Sequence, residues 1–325
     1  MRRVVGRSSL FLFVLFVIAA AAIGWGVERF SAPGPLETNK TLILPTGMGV
    51  NEIAQSLSQG GVIKQPWLFR IGVRVSGNSR DLRAGEYMFS PASSPKEVME
   101  HLVLGRTVVR RVTVPEGLTS GEVVSLLRGT EGLTGIVTEI PAEGALLPET
   151  YHFSYGDSRA GLIDRMQSGM RDALAELWQR RTQGLPLANS REALILASIV
   201  EKETGVPEER AHIAGVFVNR LRDGMRLQSD PTVVYALSIG RGPLNRPLSR
   251  VDLAVDSPFN TYRVRGLPPH PITNPGRAAI EAAVAPLATD DYFFVADGSG
   301  GHAFATTLRE HHRNVAKWRR LQKSR

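Results

Sequence analysis

The sequence predicts an α+β protein carried on one N-terminal membrane-spanning helix, and three observations support that class. One uncharged run at the N-terminus is long enough to cross a bilayer. Behind it, segments with the 3.6-residue period of helices alternate with short β-rich runs. Caps and Gly/Pro stops punctuate those segments. The 325 residues give room for one large or two ordinary domains. With 42% hydrophobic and 22% charged residues the chain can bury a core, which excludes the disordered and collagen-like classes. The lack of cysteine excludes a disulfide framework, a thiol nucleophile and a Cys-ligated metal. Seven histidines form no HExxH pair, so a zincin is excluded too. No metal and no cofactor are expected.

Arg2, Arg3 and Arg7 lie in a short N-terminus, residues 1–7, ahead of an uncharged run at residues 8–27. Twenty residues rising about 1.5 Å each span a hydrocarbon core roughly 30 Å thick. Basic residues before the run, with Glu28 and Arg29 after it, predict a cytoplasmic N-terminus and an exported body. Ala19–Ala22 leave open a cleaved signal peptide. The run continues through Ile23, Trp25 and Val27, longer than a usual signal core, which favours a retained single-pass anchor in the cell inner membrane. The formal charge of +8 then points to lipid headgroups or cell-wall carboxylates rather than nucleic acid, or only to surface solubility.

Pro33, Gly34 and Pro35 mark residues 28–40 as a linker. Thr41–Leu44 reads as a strand, and Val50–Ser58 as a helix with Val50, Ile53, Ala54 and Leu57 on one face, stopped by Gly60-Gly61. A second apolar helix follows at Trp67–Val75, and a strand at Gly85–Phe89. Ser94-Pro95-Lys96-Glu97 combines a cap, a proline at the first helical position and a capping box, and Gly105 ends that helix. This strand–helix–helix–strand module, residues 41–107, resembles a LysM-like carbohydrate-binding module; a generic small α+β domain fits the same pattern. The remainder, residues 108–325, opens with a β-rich run at Val108–Val114 and a helix at Thr119–Leu127 with its own capping box, Thr119 to Glu122. An amphipathic helix is expected at Leu162–Gln179. A hairpin is expected at Tyr292–Ala296 and His302–Ala305 around Asp297–Gly301, then a basic helix at Glu310–Leu321.

Between these, Asn189 caps a helix that is apolar from Ala193 to Val200 except at Ser198, then meets Glu201, Lys202 and Glu203. A helix apolar nearly all round is a buried one. At 100° per residue, Leu196, Ile199 and Val200 share the side of Glu203, while Leu194, Ala197 and Ser198 share that of Glu201. Glu203 therefore ends the bulkier stripe, where desolvation raises a carboxyl pKa and suits it to act as a general acid. The same spacing also permits either glutamate simply to pair with Lys202, Arg210 or Arg222.

Ala197–Thr204 resembles the signature of the YceG-like, or MltG-type, endolytic murein lytic transglycosylases. So do Val216–Leu221 and Gly224–Thr232. Further on, Ser257 with Asn260-Thr261-Tyr262, Gly266–Pro269, Pro271-Ile272 with Asn274–Gly276, and Phe294–Gly298 with Gly301-His302 follow in the family's order. Leu147–Tyr151 is similar to a Pro-Asp-Thr-Tyr element, with Glu149 in place of Asp. The resemblance covers most of residues 108–315, and the family's anchor and LysM-like module agree with the N-terminal reading.

The chemistry this implies is cleavage of the MurNAc–GlcNAc β-1,4 bond of peptidoglycan without water. One carboxyl protonates the glycosidic oxygen, then takes a proton from the MurNAc 6-hydroxyl as that oxygen attacks C1 and closes a 1,6-anhydro ring. The resemblance gives that role to Glu203, with Thr204 beside it, and makes Gln228, Asp230, Asn260, Thr261 and Tyr262 the polar lining for the sugar. The expected partners are glycan strands, the inner membrane and, as candidates, peptidoglycan synthases. Asp230-Pro231 and Asn274-Pro275 are also ordinary turn formers, and turn chemistry is favoured for Asn274. His302 fits the cleft or the hairpin equally. A muramidase would need Asp230 or another carboxylate about 5–9.5 Å from Glu203. A non-catalytic wall-binding scaffold would need no desolvated glutamate.

Overall fold

The structure, a computed structural model, describes residues 2–239 and 244–323, with side chains from Leu10 onward. The side chains of Arg2, Arg3 and Arg7, on which the cytoplasmic N-terminus rests, lie outside the described residues, as do residues 324–325. The chain is mixed α+β and divides into two units. The first comprises residues 1–110 and 152–157, the second residues 111–151 and 158–325.

The first unit opens with α1 (Arg2–Ser31), whose segment Leu10–Ser31 is the one helix among the described residues long and apolar enough to cross a membrane. Residues 28–31, expected in the linker, continue this helix. It ends just before Ala32, which Pro33 disfavours for helix. The rest of the expected linker is hydrogen-bonded to the unit: Gly34 N donates to the Ala92 carbonyl (3.0 Å), and Ala92 N to that of Leu36 (2.9 Å).

Next come β1 (Lys40–Leu44), α2 (Val50–Gln59), α3 (Pro66–Val75), β2 (Gly85–Phe89) and α4 (Pro95–Leu104). β1 and β2 pair antiparallel, Leu42 opposite Tyr87. Their inner face and the helices bury Leu44, Ile53, Leu57, Phe69, Val73, Tyr87, Phe89 and Leu102. Ser94 accepts from Glu97 N while Glu97 reaches back to Ser94 N, the expected reciprocal cap. Gly105 closes α4 at φ 65°, a left-handed position where a Cβ would be strained.

β3 (Val109–Thr113) and β4 (Thr150–Ser154) form a two-stranded ladder, each strand passing from one unit into the other. The second unit contains α5 (Ser120–Gly129), α6 (Arg159–Gln179), α7 (Ser190–Glu203), α8 (Arg210–Arg222), α9 (Asp230–Ser238) and α10 (Arg277–Val284). The β5–β6 hairpin (Phe293–Ala296, His302–Ala305) and α11 (Leu308–Lys323) follow. α7 is the unit's centre: every residue from Ala193 to Val200 is buried, packed with α6, α8 and α10 around Met170, Leu196, Phe217 and Ile280. Ser198, the one polar residue in that stretch, donates to the Ile195 carbonyl (2.7 Å) and accepts from Ile272 N (3.0 Å).

Asn274 is fully buried. Its side chain accepts from Leu146 N (2.9 Å) and donates to the Leu118 carbonyl (3.0 Å) and Ser120 Oγ (3.2 Å). It ties three loops together rather than closing a simple turn. Asp230-Pro231 is likewise no isolated turn, because it opens α9 with proline in the first turn.

Candidate functional site

α7 carries its carboxylates off the end of a buried rod. Asn189 caps the start by accepting from Glu192 N (3.1 Å), and the apolar wall fixes the rotation, so Glu201 and Glu203 leave the helix on different sides. Glu201 accepts from Gly276 N (2.8 Å) and pairs with Arg210 (3.5 Å), while Lys202 donates to the Gly117 carbonyl (3.2 Å). The pairing that the spacing allowed for either glutamate therefore applies to Glu201. Burial raises its carboxyl despite those contacts.

Glu203 opens instead into a cavity of about 520 Å³, lined by Arg220, Gln228, Asp230, Tyr262, the β5 strand, His302 and the α11 residues Leu308, His311 and His312. Its Oε1 accepts from Ser229 Oγ (2.5 Å). Loss of solvation pushes this carboxyl up to about 7. The Ser229 bond opposes the shift, the negative charge of Asp230 adds to it, and His302 and Arg220 pull it back. A carboxyl in that range is half protonated at neutral pH, so it can give a proton and take one back.

The loop before α9 sets the far wall. Gln228 lines the cavity with its backbone at φ 51°, a left-handed conformation unusual for this residue, pinned where Gln228 N donates to the Thr261 carbonyl (3.1 Å). Asp230 accepts from the Tyr262 hydroxyl (2.6 Å), whose proton is held tightly because burial and the Asp230 and Glu203 charges raise its pKa. Thr204, Asn260 and Thr261, expected in the polar lining, do not line the cavity. All three are buried and bonded within the protein. Asn260 donates to the Leu253 and Val255 carbonyls and accepts from Tyr262 N (3.0 Å). Thr261 Oγ1 accepts from Ser229 N (3.0 Å) and bonds Thr232 Oγ1 (2.8 Å). Asn260 thereby holds Tyr262 and Thr261 holds Ser229, the residues that do face the cleft or its carboxyl.

Thr204 acts at one remove from the hairpin. Its hydroxyl donates to Glu209 Oε2 (3.3 Å), and Glu209 in turn holds His302 at both the backbone N (2.8 Å) and Nδ1 (2.7 Å). Burial raises the Glu209 carboxyl, yet the His302 bonds outweigh it and hold the group below its ordinary value. An ionised carboxylate only accepts, so Nδ1–H donates and the orientation of the ring is fixed. Among the described residues no group of three His, Asp or Glu side chains is arranged to hold a metal ion.

The YceG-like family model matches residues 42–317. The chain belongs to the YceG-like family. It is 30% identical to proteins named endolytic murein transglycosylase from Streptococcus pneumoniae, an alignment covering 94% of this chain and 64% of theirs. The chain thus spans about two thirds of those relatives' length. A Bacillus subtilis protein of the same name is 29% identical over 87% of this chain and 85% of its own. Among solved structures, a YceG-like protein of Listeria monocytogenes is 31% identical with a TM-score of 0.50, covering 85% of this chain and 98% of that one. This YceG-like chain also has site residues that the sequence reading passed over. Ser229 and Arg220 sit inside motifs with the right spacing, but nothing in one sequence gives their direction. Arg220 is buried, donating to the Tyr292 carbonyl (2.7 Å) and to that of Leu227, and it braces hairpin and loop together. Glu209 carries no sequence signal, since its partner His302 lies 93 residues away.

Proposed function

We propose that the protein is a membrane-anchored endolytic peptidoglycan lytic transglycosylase, with Glu203 as its single acid/base. The observation that carries this reading is the Glu203 carboxyl at about 7, bonded to Ser229 in an open polar and aromatic cleft. The YceG-like membership and the names of the relatives support the substrate: the MurNAc–GlcNAc bond within nascent strands.

Protonated Glu203 gives its proton to the glycosidic oxygen. As that bond breaks, the carboxylate accepts the proton of the MurNAc 6-hydroxyl, whose oxygen bonds to C1. The nucleophile is already part of the substrate, so the step gains from proximity and no second catalytic carboxylate is required. Gln228, Asp230 and Tyr262 bind the sugar; Asn260, Thr261 and Thr204 hold them and the hairpin. The first unit, within residues 41–107, serves as a LysM-like glycan-binding module, residues 108–325 as the catalytic domain, and α1 as the anchor that leaves the body outside the inner membrane, where synthases are candidate partners.

Asp230 in the same cleft is the specific observation that keeps a hydrolytic muramidase in view. Mass spectrometry of digested glycans separates the two, because a 1,6-anhydro end is one water lighter than a reducing end. Anhydro ends are expected on every new MurNAc terminus. Reducing ends as the main product would overturn the proposal and make Asp230 catalytic.

A further inference from the structure

The first unit exposes an apolar stripe that its core does not need. On α3, Leu68, Phe69 and Val73 face inward, whereas Trp67, Ile71 and Val75 recur every fourth residue on the outside, 41%, 50% and 83% exposed. Single exposed apolar side chains are ordinary, but three in register along one helix form a surface that seeks an apolar partner. Arg70 and Arg74 flank the stripe on the same helix, with exposed Lys64 just before it.

The position of the stripe identifies that partner. The Trp67 ring stacks on Trp25 of α1, centroids 6.1 Å apart and planes 11° from parallel. Phe30 of α1 seats against Gly72 of α3 so closely that a Cβ there would come within 2.3 Å of its ring. α3 is thereby fixed to the far end of α1. Trp25 stands about 23 Å along the helix from Leu10 at 1.5 Å per residue, near the edge of a hydrocarbon core roughly 30 Å thick. Tryptophan concentrates at that boundary. A short helix with apolar residues on one strip and arginines beside it has the make-up of an element that lies in the interface.

We propose that the outer face of α3, formed by Trp67, Ile71 and Val75 with Arg70 and Arg74, rests in the headgroup layer of the membrane that holds α1 and takes anionic phospholipid as its partner. This rests on the reading of α1 as a retained anchor. Its consequence is that the first unit is held on the membrane surface by two contacts rather than by one tether, which ties glycan capture to strands emerging close to the bilayer.

The absence of cysteine makes the test direct. A nitroxide label is attached to the full chain carrying V75C, Q55C on the exposed side of α2, or V14C within α1, in nanodiscs containing phosphatidylglycerol. Accessibility to oxygen is compared with accessibility to a water-soluble nickel chelate. The V75C label is expected to be several-fold less open to nickel than the Q55C label, with V14C the most protected. V14C in lipid with V75C as open as Q55C would sink this inference and leave the anchor standing. A V14C label open to water would remove the anchor and this inference with it. Equal V75C protection in purely zwitterionic discs would overturn the choice of anionic lipid.

Discussion

Glu203 is poised by subtraction of water rather than by a strong partner. One hydroxyl bond, with His302 and Arg220 nearby, holds it back from a still higher value. In the proposed mechanism the acid form protonates the leaving group, so kcat/KM should fall as pH rises through about 7. Glu203→Gln should lose roughly 10²–10⁴ in rate, the usual weight of a general acid, measured by release of anhydro-muropeptides. The sign of the linkage gives a second readout. A raised carboxyl pKa stabilises the fold fully below about 4.5, and the stability is lost as pH climbs through about 7. The wild type should therefore lose thermal stability relative to Glu203→Gln between those values and match it near pH 4. Glu201→Gln should behave oppositely in kind, weakening the Gly276 and Arg210 contacts and lowering Tm more than activity. A dead but stable Glu201 variant beside an active Glu203 variant would reverse the assignment. Glu209→Gln tests the hairpin link: it should lower kcat and shift the His302 ring nitrogens in ¹⁵N spectra. A Glu209 that serves only the fold would move that imidazole signature and leave kcat unchanged.

At the scale of elements, legibility follows the strength of the pattern. α7 was readable because eight buried residues follow a recognisable cap, and α4 and α5 because each begins with a capping box. α8 was not, since Ile213–Val218 are buried with little amphipathic contrast, and an apolar run without a polar face has no period to read. Asp230-Pro231 suits a turn and a helix start equally, and only the following packing decides. β4 alternates mostly polar residues and becomes a strand through its pairing with β3. Asn274 shows the same limit, for its three side-chain bonds reach Leu118, Ser120 and Leu146, more than 120 residues away. Asn274→Ala would leave the buried Leu146 N–H unpaired, at about 1–3 kcal/mol, while the Leu118 carbonyl keeps its bond from the residue 274 backbone N–H. A drop in Tm of several degrees by calorimetry is expected, and an unchanged Tm would mean that water replaces the amide.

For the whole molecule, the proposed function divides the labour between the two units. All of the cleft residues belong to the second unit, while the first unit holds α1 and the small α+β core. Phe30 and Leu36 pack against that first core, so the end of α1 and the segment after it are part of its stability. A chain shortened to begin at Thr41 should therefore melt its first unit at lower temperature, since it loses two partly buried apolar side chains worth up to about 1.5–3 kcal/mol each. Its second unit keeps every residue of the cleft, from Glu203 to His312. The shortened protein should still cut isolated, soluble peptidoglycan to anhydro products at a rate close to that of the full chain. On strands tethered beside a bilayer, the proposed substrate, it should be markedly slower. Folded but inactive shortened protein on isolated strands would mean that the first unit takes part in the chemistry itself, and the division of labour would fall.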